Sequence, residues 1–241
     1  MTATPLRLDH LVVSARTLEE GTQYVADTLG VAPTGGGAHP LMRTHNRLLG
    51  LWGGVYLEVI AVDPAANASG QSQGQGRARL FALDDPAVQA RLDAGPYLSH
   101  WVARVEPPRS LARWRAQYPQ RIADLVPMTR GNLSWQLSVP LDGAFPAWQG
   151  AGDGVLPSLI QWDTPRHPSQ SLDESGVALT SLTGYHPQAD TIRAQLDWLG
   201  ASALMTVEQA DSPALVAHFE TPSGPRSLGA PARRSVERES A

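Results

Sequence analysis

LRLDHLVV, residues 6–13, and YLSHWVARV, residues 97–105, decide the fold. Each is short, rich in branched and aromatic apolar residues, and carries one histidine inside it, His10 and His100. Both read as strands. After each comes a helix signal. Thr17 opens LEEGTQYVADTL with Glu20 three residues on, a capping-box pattern, and Gly30 stops the helix near Leu29. Ser110 to Tyr118 places Leu111, Trp114 and Tyr118 on one helical face. Strand candidates follow in both copies. In the first, Arg47 to Trp52 and Val55 to Val62 flank Gly53-Gly54, a hairpin signal. In the second they are Leu125 to Met128, Asn132 to Val139 and Leu156 to Trp162. The repeat, spaced 90 residues from His10 to His100, predicts two copies of one βαβββ unit whose sheets join in one layer.

The remaining segments are less regular. Gly35 to Gly37 reads as a Gly-rich loop. Residues 65–77, AANASGQSQGQGR, form a polar low-complexity stretch expected to be mobile. Asp85-Pro86 opens a short helix ending near Gly95. A third, poorer echo runs from Val177: a strand, a helix from Gln188 to Leu199, strands at 203–207 and 215–220, and a short one at 226–228. The expected organisation is α+β. A first module spans 1–64, a connector 65–96 and a second module 97–165. A partial βαββ module covers 176–228, and a disordered tail 229–241.

Composition narrows the chemistry. The 241 residues hold no cysteine, which removes disulfides, thiolate ligands and thiol nucleophiles. All 19 basic residues are arginine, which removes Schiff-base lysines and the P-loop lysine. A net charge of −4 offers no footprint for nucleic acid. No apolar run reaches the roughly 20 residues of a membrane span, and the start lacks a signal-peptide pattern. The expected location is the cytoplasm. No G-x-S-x-G or H-E-x-x-H occurs, and GAGDG at 150–154 lacks the strand-to-helix context of a dinucleotide loop.

Strand alternation suggests where polar side chains point. Leu8, His10 and Val12 share one face, with Asp9 on the other. Tyr56, Glu58 and Ile60 share a face, and an acid in the middle of VYLEVIAV needs a cationic or metal partner if ionised. In LPSLIQW, Leu159 and Gln161 lie opposite Ile160 and Trp162. Each histidine reads either as a half-buried strand residue with backbone partners or as a ligand.

LDHLVV, the hairpin from THNRLLGL to YLEVIAV, LSHWVARV and LIQW together resemble the vicinal oxygen chelate superfamily. Its members include glyoxalase I, extradiol dioxygenases and bleomycin-resistance proteins. More narrowly the chain is similar to the glyoxalase-like domain family, over about residues 6–163. The resemblance implies a curved mixed-sheet cup with helices outside and a small-molecule site between the modules. It nominates His10, Glu58, His100 and Gln161 as ligands of one divalent ion (Zn, Mn, Ni or Fe), with Glu58 also the catalytic candidate. Gln161 departs from the commoner glutamate. Arg43, His45, Asn46 and Trp135 are candidate substrate contacts, although Arg43 can equally sit in solvent and His45 and Asn46 in a turn. The implied activity is a metal-dependent lyase, isomerase or dioxygenase acting on a small oxygen-rich molecule. The alternative is a metal-free binding protein of the drug-resistance type. A homodimer is compatible with exposed sheet edges.

Overall fold

Thr17 accepts a hydrogen bond from the Glu20 amide at 3.1 Å, and Gly30, left-handed at φ 76°, closes the far end. The helix so bounded, α1 (Leu18–Leu29), follows β1 (Arg7–Ser14) and precedes β2 (Gly35–His39), β3 (Thr44–Leu51) and β4 (Val55–Val62). The computed structural model describes residues 6–68 and 77–231. A connector carries α2 (Pro64–Ala68), a helical turn at Leu80–Ala82 and α3 (Pro86–Leu92). The second copy is β5 (Tyr97–Arg104), α4 (Leu111–Gln117), β6 (Leu125–Arg130), β7 (Leu133–Ser138) and β8 (Ser158–Trp162). Most of the expected mobile loop, and the tail beyond 231, lie outside the described residues.

The two copies form one eight-stranded sheet, ordered β2-β3-β4-β1-β5-β8-β7-β6. Within each copy the first and last strands pair in parallel, β1 with β4 and β5 with β8, and the copies join through antiparallel β1 and β5. The sheet curves until its edge strands β2 and β6 touch, giving a nearly barrel-like cup with helices outside. The β3–β4 hairpin turns at Gly53 and Gly54, both left-handed (φ 83° and 77°), as the sequence predicts.

One expectation fails here. Residues 35–37 are not a loop but part of β2, paired along β3 from Gly35↔Leu48 to His39↔Thr44. Glycine is a poor strand former in isolation, and the pairing is decided by close approach. A Cβ on Gly36 would lie 2.1 Å from the Asn46 carbonyl oxygen.

The third segment is also a βαβββ unit in chain order, with the short strand read at 226–228 as its last: β9 (Ala178–His186), α5 (Ala189–Leu199), β10 (Thr206–Gln209), β11 (Ala214–Thr221) and β12 (Gly224–Leu228). It is wired differently. Its sheet is separate, ordered β10-β9-β11-β12, with β10 parallel to β9. It packs on the convex side of the large sheet. Leu182 and Phe219 from this unit join Leu11, Leu57, Trp101 and Leu159 of the large sheet, along with Val25, Leu111 and Ile192 from the helices. The concave side has its own apolar cluster, including Val12, Ile60, Val102 and Ile160.

Helix α1 docks on β4 through Gly21, where an added Cβ would fall 2.3 Å from Val59 Cγ1 and 2.8 Å from Ala15 Cβ. Gly21→Ala therefore lowers stability by about 1–3 kcal/mol through overpacking. A denaturant midpoint equal to or above the parent's contradicts this docking.

Candidate functional site

The site begins with a slip in strand pairing. Leu8 pairs with Ala103 and His10 with Val102, so Asp9 is an extra residue, a β-bulge. A bulge re-aims side chains. Here it brings Asp9 to the same group as His10, against the simple alternation expected from sequence. The His10 Nδ1–H donates to Asp9 Oδ1 at 2.7 Å. The second carboxylate oxygen accepts from Trp162 Nε1–H and His167 Nε2–H, each at 3.0 Å. His167 caps the turn Pro168–Ser171, and its Nδ1 accepts from the Ser169 amide at 3.3 Å, which leaves the Nε2 proton for Asp9. Asp9 is wholly buried, so three donors replace its hydration.

His10 turns its other nitrogen to Glu58, Nε2 to Oε2, at 3.4 Å, and stacks on the Tyr56 ring with centroids 4.5 Å apart. Glu58 Oε1 accepts from Asn46 Nδ2 at 2.6 Å. Asn46 Oδ1 in turn accepts from the Gly37 amide at 2.9 Å and from Arg130 at 3.0 Å. Beside it His39 Nε2 lies 3.3 Å from Asn46 Nδ2, and His39 Nδ1 lies 3.2 Å from Thr44 Oγ1. The strands β1, β2, β3, β4 and β6 thus each supply one member or more of a continuous polar chain, Asp9–His10–Glu58–Asn46 with His39 and Arg130 at its end.

Protonation follows from this wiring. Burial pulls His10 down, but Asp9 and Glu58 outweigh it and hold the imidazole at about 9, so it is a cation at neutral pH. Burial pushes Glu58 up, but His10, His39 and Asn46 bring it to about 2. Burial likewise opposes ionisation of Asp9, and its bonds to His10 and His167 carry it below the usual carboxylate range. His39 gains no comparable partner, and burial drives it down to about 4. Tyr56, buried beside Asp9 and Glu58, is pushed well above 10 and stays a phenol. The pair borders a cavity of about 30 Å³, room for a water or two, walled by Trp135, Trp162, Met128 and Ile160 and capped by Leu80 and Phe81.

The glyoxalase-like domain family matches residues 8–200, which covers both modules, β9 and α5. The chain belongs to the glyoxalase-like domain family. Its fold is that of the vicinal oxygen chelate superfamily. A hypothetical protein from Staphylococcus aureus superposes with a TM-score of 0.59 at 15% identity, over 87% of this chain and 88% of that one. Methylmalonyl-CoA epimerase from Mycobacterium tuberculosis superposes with a TM-score of 0.39 at 17% identity, over 67% of this chain and 91% of its own. At such identities the likeness concerns the fold. No curated protein matches the chain.

The ligand set that the glyoxalase-like resemblance implies does not converge. His10 and Glu58 are together. His100 is at the matching strand position, yet both its nitrogens are taken: Nδ1–H donates to the Gly154 carbonyl at 3.0 Å, and Nε2 accepts from the Ser158 amide at 3.1 Å. It is wedged between Phe81 and Phe145, and burial drives it down to about 3, a neutral core histidine. Gln161 faces outward. Its Oε1 accepts from the Leu111 amide at 2.8 Å and its Nε2 donates to the Arg109 carbonyl at 2.8 Å, capping the start of α4. The parity of β8 is as expected, but Trp162 takes the concave side and Gln161 the convex. Among the described residues no three His, Cys, Asp or Glu side chains are grouped to hold a metal ion. Of the four nominated ligands a divalent ion would find only His10 and Glu58 together, fewer donors than a zinc site uses, so that set does not fit it.

The candidate substrate contacts divide in the same way. Asn46 and Trp135 line the cavity. His45 sits between Asn46 and Thr44 and so points to the other side of β3. Arg43 donates to the Arg77 carbonyl at the rim. Sequence reading missed Asp9, His39, Tyr56, Arg130, Trp162 and His167 as members of the site. Tyr56 was legible from its parity with Glu58, and Trp162 from its parity against Gln161. Asp9 depends on a bulge that leaves no sequence mark, and His39 on a strand read as a loop.

These protonation states set a pH optimum. His10 has a raised folded value, so its contribution is complete below its ordinary 6.5 and is lost as pH rises through about 9. His39 and His100 have depressed values, so stability falls as pH drops from 6.5 through about 4 and about 3. Glu58 adds a further acid loss between its ordinary 4.5 and about 2. Thermal midpoints measured against pH should peak near 6.5, and His10→Gln should flatten the alkaline limb between 6.5 and 9. An alkaline limb unchanged in that variant contradicts a cationic His10.

Proposed function

We propose that the cup of this glyoxalase-like protein binds a small oxygen-bearing molecule at the His10–Glu58 pair, without a divalent ion bridging protein and ligand. One observation carries the reading. An imidazole and a carboxylate, each held by further hydrogen bonds, border one end of a cavity, with His39, Asn46 and Arg130 beside them and apolar side chains on the remaining walls. Such a pair orients a ligand that both accepts and donates a hydrogen bond. Sites of this kind are concave and largely apolar, with a few convergent polar groups. The metal-dependent alternative is disfavoured by its donor set, since His100 and Gln161 are committed elsewhere.

Magnitudes favour binding over turnover. A proton shuttle works best with values near the working pH, whereas His10 at about 9 and Glu58 at about 2 lie on either side of it. A second reading, proton transfer to or from the ligand, rests on the 3.4 Å contact between them. A ligand oxygen inserted there separates the charges. Burial then draws Glu58 up and His10 down, although Asp9 continues to favour the charged imidazole.

The test is thermal stabilisation by a panel of small carboxylates, phenols and 1,2-dicarbonyls, with and without EDTA. Stabilisation should survive EDTA, and Glu58→Gln and His10→Gln should each weaken binding about tenfold or more, equivalent to ~1.4 kcal/mol. Ligand binding that requires stoichiometric Zn, Mn, Ni or Fe, and vanishes with either substitution, overturns the proposal. Solvent deuterium appearing in the bound molecule selects the proton-transfer reading.

A further inference from the structure

The lining of the cup includes side chains that belong to neither module. The connector dips inward at Leu80 and Phe81, 2% and 3% exposed, and these two close the cavity over His10 and Glu58. They sit in the concave apolar cluster with Met128, Trp135, Leu137 and Ile160. The backbone that puts them there is strained. Phe81 (φ 55°) and Ala82 (φ 56°) are consecutive left-handed residues, and neither is glycine. In that conformation Cβ crowds the following carbonyl oxygen. The turn is tethered mainly at its rim. Arg43 holds the Arg77 carbonyl, Arg79 pairs with Asp84, and the Ala82 amide donates to Gly143 O at 2.8 Å.

Behind the same turn lies an open cleft of about 400 Å³. Ala82 and Phe145 form its inner wall, Val88 and Arg91 of α3 one side, and Pro213 to Leu215 the other. Its volume falls within the range of about 300–1,000 Å³ typical of small-molecule sites, while the cavity at the charged pair is far below it. The strained turn, with His100 and Phe145 packed against Phe81, therefore stands between a space large enough for a ligand and the polar groups suited to hold one.

We propose that Leu80 and Phe81 occupy the place of the cup's own ligand, a molecule with an apolar body about one ring in size and a single hydrogen-bonding end, which enters from the cleft as the Phe81–Ala82 turn swings outward. The inference rests on the cup being a small-molecule site, as proposed above. Chemistry sets the ligand class. The plug satisfies the apolar walls with a ring and a branched chain, and brings no polar group to His10, Glu58 and Arg130. A ligand that matches the apolar contacts and adds one polar end displaces it.

The absence of cysteine makes the test clean. Met128→Cys places a single thiol beneath the plug, and Leu137→Cys serves as a second reporter should the first fold poorly. Labelling by an aromatic disulfide should proceed through local opening, with a rate that barely responds to low denaturant while global unfolding responds steeply. Ala82→Gly, which removes the crowded Cβ, should slow labelling, and Phe81→Ala should speed it about tenfold or more. In the cysteine-free protein, Phe81→Ala should bind benzyl alcohol, which has one ring and a hydroxyl that both donates and accepts, at least about tenfold more tightly than the parent. Labelling that tracks global unfolding at every denaturant concentration, or benzyl alcohol binding unaltered by Phe81→Ala, overturns the plug. If the panel ligands stabilise the protein in that case, the cup remains a binding site and only this inference falls. Local opening with no ligand of any class stabilising the protein removes the binding reading, and the ligand assigned here falls with it.

Discussion

His10 carries a positive charge between two carboxylates, and all three groups are buried. Charges removed from water are costly unless paired and fully hydrogen-bonded. Both carboxylates of this triad therefore have further donors: Asp9 has Trp162 and His167, and Glu58 has Asn46, which is itself held by Gly37 and Arg130. That requirement reaches well beyond the site. It fixes the bulge in β1, the pairing of an unpromising glycine strand to β3, and the direction of β8. It also places the His167 turn against the cup. A change at any of these leaves a buried charge without its partner, which weighs more than the packing lost.

The duplicated histidines show how little a position determines on its own. His10 and His100 sit at the same point of the same unit. The first meets two carboxylates and is a cation; the second meets a carbonyl, an amide and two phenylalanine rings and is neutral. Low dielectric strengthens whichever partner is present, so two similar strands arrive at opposite charge states. The cup is therefore built from both modules but its charged centre belongs mainly to the first. The second contributes Arg130, Trp135 and Trp162.

Much of the fold is legible in the chain. The paired β-histidine strands, the Thr17 cap, the Gly53-Gly54 turn and the alternation of VYLEVIAV are local signals whose physics is local. The site is legible only in part. His10, Glu58, Asn46 and Trp135 follow from alternation along single strands. His100 and Gln161 fail because alternation gives the relative facing of neighbours and says nothing about whether a side chain's polar atoms are already satisfied. Asp9 fails because a bulge is a property of two strands in register. His39 fails because Gly35 to Gly37 has the composition of a loop and becomes a strand only against Asn46 and Arg47.

The closed cup and the displaced protonation values have one physical origin. Excluding water strengthens the attraction between His10 and its carboxylates, which pushes the imidazole toward 9 and Glu58 toward 2. It also removes the solvent that would screen a ligand from them. Leu80 and Phe81 supply that exclusion in the closed cup, and a ligand must supply it when they leave. The apolar wall and the charged end are then parts of a single recognition problem. A purely apolar molecule would strand the pair against carbon, and a purely polar one would leave Met128, Trp135 and Ile160 facing water. Only a molecule carrying both halves meets both needs, and the cup selects for that combination before any particular functional group is considered.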